Sequence, residues 1–139
     1  MRVLVCDDEP VILKLIELSL RGTPHDLQTV GGGAEALETM RRWRPDVLVT
    51  DVAMPGMDGL DLAAAVRADP DLKGLPIVFM TASIHVDAIA RKTLVGPAAY
   101  LYKPFGPAAL RSMLDALVAG GSQVPSAERT QVSPADSRS

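Results

Sequence analysis

Four short apolar runs each end on a residue able to do chemistry. Val3-Leu4-Val5-Cys6 runs into Asp7 and Asp8, and Val47-Leu48-Val49-Thr50 into Asp51. Ile77-Val78-Phe79-Met80 runs into Thr81, and Ala99-Tyr100-Leu101-Tyr102 into Lys103. A lone acid at the end of such a run is a metal ligand, a nucleophile or a turn former. Singly, each residue has a plain reading: Asp7-Asp8-Glu9-Pro10 starts a helix, Thr81 caps one, and Lys103 is a solvated loop lysine. Gathered in one cleft, the carboxylates would repel each other unless something positive lay between them. A hard divalent cation meets that need. Mg²⁺ suits it because the ion keeps several waters and takes only one or two carboxylates directly. With a hydroxyl and an ammonium group alongside, the set could hold a metal together with a phosphoryl group.

The elements that would gather these residues follow from periodicity. Apolar runs bounded by turn formers read as buried strands, and Leu27-Gln28-Thr29-Val30 alternates like a half-buried edge strand. A helix should start at Asp7-Asp8-Glu9-Pro10, with Asp as N-cap, and run through Leu20 to Gly22 and Pro24. It is apolar on more than one face, which means heavy burial or a face used by a partner. Further helices are expected from Ala34 to Trp43, ended by Pro45, and from Gly59 through Val66, capped by Asp58. Two more run from Ile84 to Leu94, stopped by Gly96-Pro97, and from Pro107 to Val118 with Leu110, Met113, Leu114 and Leu117 on one side. Alternating strands and helices predict an α/β fold, a flavodoxin-like (βα)5 doubly wound parallel sheet in the order 2-1-3-4-5. That order makes the first and third strands neighbours, so Asp7, Asp8 and Asp51 converge at their carboxyl ends.

The pattern resembles the receiver domains of two-component response regulators. The residues that carry the resemblance are Asp7-Asp8-Glu9-Pro10, then Asp51 with Met54-Pro55-Gly56-Met57-Asp58-Gly59, then Thr81-Ala82, then Tyr100-Leu101-Tyr102-Lys103-Pro104-Phe105. It implies that Asp51 accepts a phosphoryl group from a phosphohistidine. Asp8 and Asp51 would bind Mg²⁺ directly, with the Ala53 carbonyl, and Asp7 through water. Lys103 would pair with one phosphoryl oxygen, Thr81 would move to hydrogen-bond another, and Tyr100 would swing inward behind it. In the family this motion reshapes the face of the fourth helix, fifth strand and fifth helix that partners read, and the Lys103-Pro104 peptide is usually cis. The implied partners are a sensor histidine kinase or histidine phosphotransfer protein and a downstream protein or effector domain, with a homodimer through the same face. The implied activity is that of a switch catalysing its own phosphorylation and aspartyl-phosphate hydrolysis, not of a conventional enzyme. Three features depart from the family pattern. Pro97 replaces the usual alanine beside the moving part, and Tyr102 is larger than the usual residue before the lysine. Ala53 and Ser83 occupy the positions that tune phosphoryl lifetime, and neither is an obvious positioner of attacking water.

Size and composition narrow the alternatives. The 139 residues suffice for one domain with a real core. A net charge of −3 leaves no basic footprint for direct nucleic-acid binding. One cysteine, no signal peptide ahead of Asp7 and no membrane-length apolar run together predict a cytoplasmic protein. Cys6 reads as a small buried strand residue and Trp43 as packing at a helix end. His25 and His85 read as surface residues, and Gly31-Gly32-Gly33 as a loop without a phosphate-loop fingerprint. By the resemblance, residues 1–119 would form the receiver domain. The Gly-, Ser-, Pro- and Gln-rich stretch 120–139 is a disordered tail or linker, so the chain is a stand-alone receiver or the N-terminal receiver of a longer response regulator. Two other functions compete. A flavin-binding flavodoxin is disfavoured by acids standing where a phosphate loop should be. A degenerate receiver acting only as a protein-docking module is disfavoured by the complete set of acids, threonine and lysine.

Overall fold

The computed structural model describes residues 1–82 and 98–119. Its strands are β1 (Arg2–Cys6), β2 (Asp26–Val30), β3 (Val47–Asp51), β4 (Ile77–Thr81) and β5 (Ala98–Tyr102). All pair in parallel in the expected order, β2-β1-β3-β4-β5. The described helices are α1 (Pro10–Leu20), α2 (Gly33–Trp43), α3 (Gly59–Ala68) and α4 (Pro107–Ala119). The helix expected over Ile84 to Leu94, Ser83, His85, Pro97 and the tail 120–139 lie outside the described residues.

The continuous apolar strands are explained by burial on both faces. Leu4, Cys6, Leu48, Phe79 and Tyr100 pack with Ala36 and Met40 of α2 and Leu62 and Val66 of α3. Val3, Val5, Val49, Val78 and Leu101 pack on the other side with Ile16 and Leu20 of α1 and Leu110 and Leu114 of α4. At the edge, β2 is only part-buried until Val30.

Helix α1 departs from expectation at its start. Its N-cap is Glu9, with no side-chain cap and Pro10 in the first turn. The Asp7 carboxylate instead accepts from the Glu9 N–H at 2.9 Å, which turns it back toward the strand end. Of the two readings of its apolar faces, one face is buried and the other open. Ile16 and Leu20 are buried, whereas Val11, Leu15 and Leu18 are 69%, 54% and 47% exposed. Their i, i+4, i+7 spacing makes one continuous stripe.

Two further expectations need correction. Gly33 is not merely loop but the first residue of α2. His25 is not a surface residue: its side chain is 2% exposed, with Nε2 3.6 Å from the Asp115 carboxylate of α4 and Nδ1 3.3 Å from the N-terminal amine. Its two polar neighbours, Met1 and Asp115 of α4, are both distant from it in sequence. Elsewhere Asp58 caps α3 as expected and, together with Asp61, makes a reciprocal capping box.

Candidate functional site

The parallel register brings the expected residues to one edge of the sheet. β1 and β3 pair from Val3 with Val47 to Cys6 with Thr50, so Asp7 and Asp51 leave adjacent strands together. The Asp7 N–H is held by the Val30 carbonyl at 3.1 Å, and the Lys103 N–H by the Thr81 carbonyl at 2.9 Å. Carboxylate oxygens of Asp7, Asp8 and Asp51 all lie within 4.8 Å of one another. Asp7 is fully buried, Asp51 nearly so, and Asp8 is exposed. The Lys103 Nζ donates to Asp51 Oδ1 at 3.1 Å and to Asp7 Oδ2 at 3.2 Å, and lies 3.8 Å from Glu9 Oε1. The Lys103-Pro104 peptide is cis, as the resemblance implied. An open cleft of about 470 Å³ is lined by Asp8, Glu9, Asp51, Ala53, Thr81, Ala82 and Lys103.

The electrostatics favour a cation. Burial raises the Asp51 pKa above its ordinary value, and the charges of Asp7 and Asp8 add to that, while Lys103 pulls the other way without prevailing. For Lys103, burial works against the ammonium, but hydrogen bonds and charge from Asp51 and Asp7 outweigh it and raise its pKa. The acids outnumber the lysine they face, and all offer hard oxygen donors at mutual distances one ion could span. The residues present therefore fit Mg²⁺.

The loop after β3 borders the same cleft. Ala53 is exposed between Val52 and Met54, which are 4% and 8% exposed, and it lines the cleft. The start of α3 presses against the same stretch. The Gly59 N–H donates to the Val52 carbonyl at 2.8 Å, and a Cβ on Gly59 would come within 2.1 Å of the Asp51 carbonyl oxygen. No side chain fits there.

Of the expected site residues, Asp7, Asp8, Asp51, Ala53, Thr81 and Lys103 meet at the cleft. Tyr100 lies apart, 2% exposed in the core on the α2 and α3 side, with its ring stacked on Phe79 at 5.7 Å between centroids. Glu9 was expected as part of a helix start and of the Asp7-Asp8-Glu9-Pro10 motif but was given no site role, yet it lines the cleft. Gly59 was read as helix and not as site; its clearance against Asp51 leaves no local signal. Cys6, one residue before Asp7, is a buried strand residue as expected, and burial pushes its thiol up to about 12.

Residues 3–115 match the response regulator receiver domain family. The chain is 37% identical over 106 residues to the DNA-binding response regulator MtrA of Mycolicibacterium smegmatis, covering 76% of this chain and 45% of that protein. It is 34% identical over 116 residues to the chemotaxis protein CheY-3 of Vibrio cholerae, covering 83% of this chain and 89% of that protein. A solved structure of the Vibrio cholerae chemotaxis protein CheY4 superposes with a TM-score of 0.75 at 31% identity, over 83% of this chain and 96% of that one. The chain thus spans about half the length of the MtrA proteins it matches, and nearly all of the chemotaxis proteins. Matched in sequence over most of its length and in fold, with acids, threonine and lysine meeting at one sheet edge, this chain belongs to the response regulator receiver domain family.

Proposed function

We propose that the chain is the phosphoryl-accepting switch of a two-component phosphorelay, with Asp51 as the acceptor. The observation that carries this reading is the Asp51–Lys103 contact at 3.1 Å inside the cluster completed by Asp7 and Asp8. A carboxylate oxygen of Asp51 attacks the phosphorus of a phosphohistidine. The new P–O bond forms as the P–N bond breaks, and its electron pair leaves with the imidazole nitrogen. Burial makes Asp51 more basic than an ordinary carboxylate, which strengthens it as a nucleophile. Lys103 Nζ already lies 3.1 Å from Asp51 Oδ1, so its ammonium needs only a small shift to reach a phosphoryl oxygen. The Thr81 hydroxyl takes another, and Tyr100 follows the threonine. Asp8, Asp51 and the Ala53 carbonyl would hold Mg²⁺, with Asp7 acting through water. When bound, the ion supplies positive charge between the acids and the incoming phosphoryl group. The same groups admit water for hydrolysis of the aspartyl phosphate.

The donor is a sensor histidine kinase or histidine phosphotransfer protein. The open stripe of Val11, Leu15 and Leu18 on α1, the helix that starts beside the cleft, offers it an apolar surface. Output passes through the face of β5, α4 and the helix expected over 84–94, part of which lies outside the described residues. A downstream protein, an effector domain or a second copy would read that face. Residues 1–119 act as the receiver in the cytoplasm and 120–139 as a tail or linker. Incubation with Mg²⁺ and a small acyl-phosphate donor tests the assignment. Wild type should become labelled and Asp51→Asn should not; equal labelling of the two would sink it.

A further inference from the structure

We infer that Gly33, at the start of α2, and Met57 form a latch that positions the Ala53 carbonyl, an inference that rests on the metal-binding reading above. The loop from Val52 to Asp58 has several anchors. The Val52 N–H donates to the Met80 carbonyl at 3.1 Å, and Met54 is buried with its thioether sulfur 3.6 Å from the Cys6 sulfur. At the far end the Gly59 N–H returns to the Val52 carbonyl. Met57 is the contact between these anchors and a different helix. A Cβ on Gly33 would come within 2.7 Å of Met57 Cγ, 2.8 Å of its Sδ and 2.9 Å of its carbonyl oxygen.

Backbone conformation is not the reason for this glycine. The glycines with positive φ among the described residues are Gly22 and Gly56. Nor is Gly33 one of three equivalent residues. A Cβ on Gly31 or Gly32 would meet nothing within 4 Å, so only the third glycine of the run touches the loop. The Met57 side chain could swing away from an added methyl, but its carbonyl belongs to the backbone and cannot. The first turn of α2 is itself held, since the Gly31 N–H donates to the Glu35 carboxylate at 3.1 Å and the Ala36 N–H to the Gly32 carbonyl at 3.0 Å. Displacement must therefore pass into the loop. With its far end held at Gly59, the loop passes the shift back through Met54 to its neighbour Ala53. Gly33 touches neither metal nor phosphoryl group; it is a positioning residue.

The test is Mg²⁺ affinity by calorimetry on the full chain, with melting temperature in chelator as a check on folding. Gly33→Ala should weaken Mg²⁺ binding by about 10- to 100-fold, the usual cost of losing support behind a metal ligand. Gly32→Ala should stay within about two-fold of wild type, because nothing opposes its methyl. Excess Mg²⁺ should bring Gly33→Ala labelling back toward the wild-type rate, which a general loss of stability would not do. Should Gly33→Ala fail to fold, Met57→Ala should loosen the loop and weaken Mg²⁺ binding, while Met57→Leu keeps it. Unchanged affinity in Gly33→Ala, or in Met57→Ala where only that variant folds, overturns the latch and leaves the proposed function standing. So does equal weakening in Gly32→Ala. Wild type that binds no Mg²⁺ overturns the metal reading and the latch with it.

Discussion

At the amino-terminal edge of the sheet, charge is spent on closing the backbone. The Arg2 guanidinium donates to the Trp43 carbonyl and lies over the Trp43 ring, 5.9 Å from its centroid. The Asp46 carboxylate takes the Arg2 N–H at 2.7 Å, and the Asp46 N–H returns to the Arg2 carbonyl at 2.8 Å. At the opposite ends of the same strands, Asp7 and Asp51 share the ammonium of Lys103, Asp8 lies within 4.8 Å of both acids, and burial keeps Asp51 more basic than usual. One edge satisfies its charges and gains stability. The other holds an excess of acid that a bound cation would relieve.

Removing Lys103 should strain that contrast most. Lys103→Ala leaves the buried Asp7 and Asp51 facing each other without their cation. The cost in chelator should be about 3–5 kcal/mol, smaller in Mg²⁺, with labelling slowed about 10²- to 10³-fold. Denaturant unfolding with and without Mg²⁺ reads the first effect. Equal losses in both would mean that the acids do not need a cation.

The response to the ion itself comes next. Mg²⁺ at 100 times its dissociation constant should add about 2.7 kcal/mol, seen as a higher melting temperature. On acidification this gain should fade from a higher pH than ordinary carboxylates would give, because protons compete earlier for an acid with a raised pKa. Without metal, the pH dependence of stability has the opposite sign to that of an ordinary paired carboxylate. The folded state holds the Asp51 proton more tightly than the unfolded state, so the contribution favours folding below the ordinary value of 3.8 and is lost as pH rises through the raised value. A Mg²⁺ gain that stays constant from about pH 7 to about pH 4 contradicts the early fading.

At the quiet edge, Arg2→Ala should cost about 1 kcal/mol through its hydrogen bond and ring contact. The loss should be the same in chelator and in Mg²⁺, with labelling unchanged; a fall in Mg²⁺ affinity would erase the distinction between the edges. The smallest response belongs to Cys6, where the reactive edge begins abruptly. Its thiol, pushed up to about 12 by burial, stays protonated at mildly alkaline pH. A thiol reagent should modify it only as fast as the protein unfolds, and faster reaction would mean that this strand end opens on its own.

Much of this was legible because particular residues had one use. The unbroken apolar runs of β1, β3 and β4 announced burial on both faces, and that ordered the sheet. Asp58 was readable as a cap because, among the described residues, its carboxylate serves the start of its own helix, although its return partner Asp61 went unforeseen. Asp7 and Asp8 were offered two uses, capping α1 and facing the cleft. The helix went without its cap because Asp7 is bound to Glu9 N–H and Lys103 instead. Local sequence cannot rank those claims. Gly31, Gly32 and Gly33 look alike until Met57 arrives from another loop, and His25 looks exposed until Met1 and Asp115 of α4 meet it. Glu9 was in plain view within the motif, yet only the fold brings Lys103 near it.

The central claim is that the acid-rich edge is a Mg²⁺-dependent phosphoryl acceptor centred on Asp51. Mapping the modified residue by mass spectrometry after exposure to a small acyl-phosphate donor tests it most directly. The account predicts one added phosphoryl group on the peptide carrying Asp51, present with Mg²⁺ and absent with chelator. A phosphoryl group on any other residue, or the same yield in chelator, would contradict it.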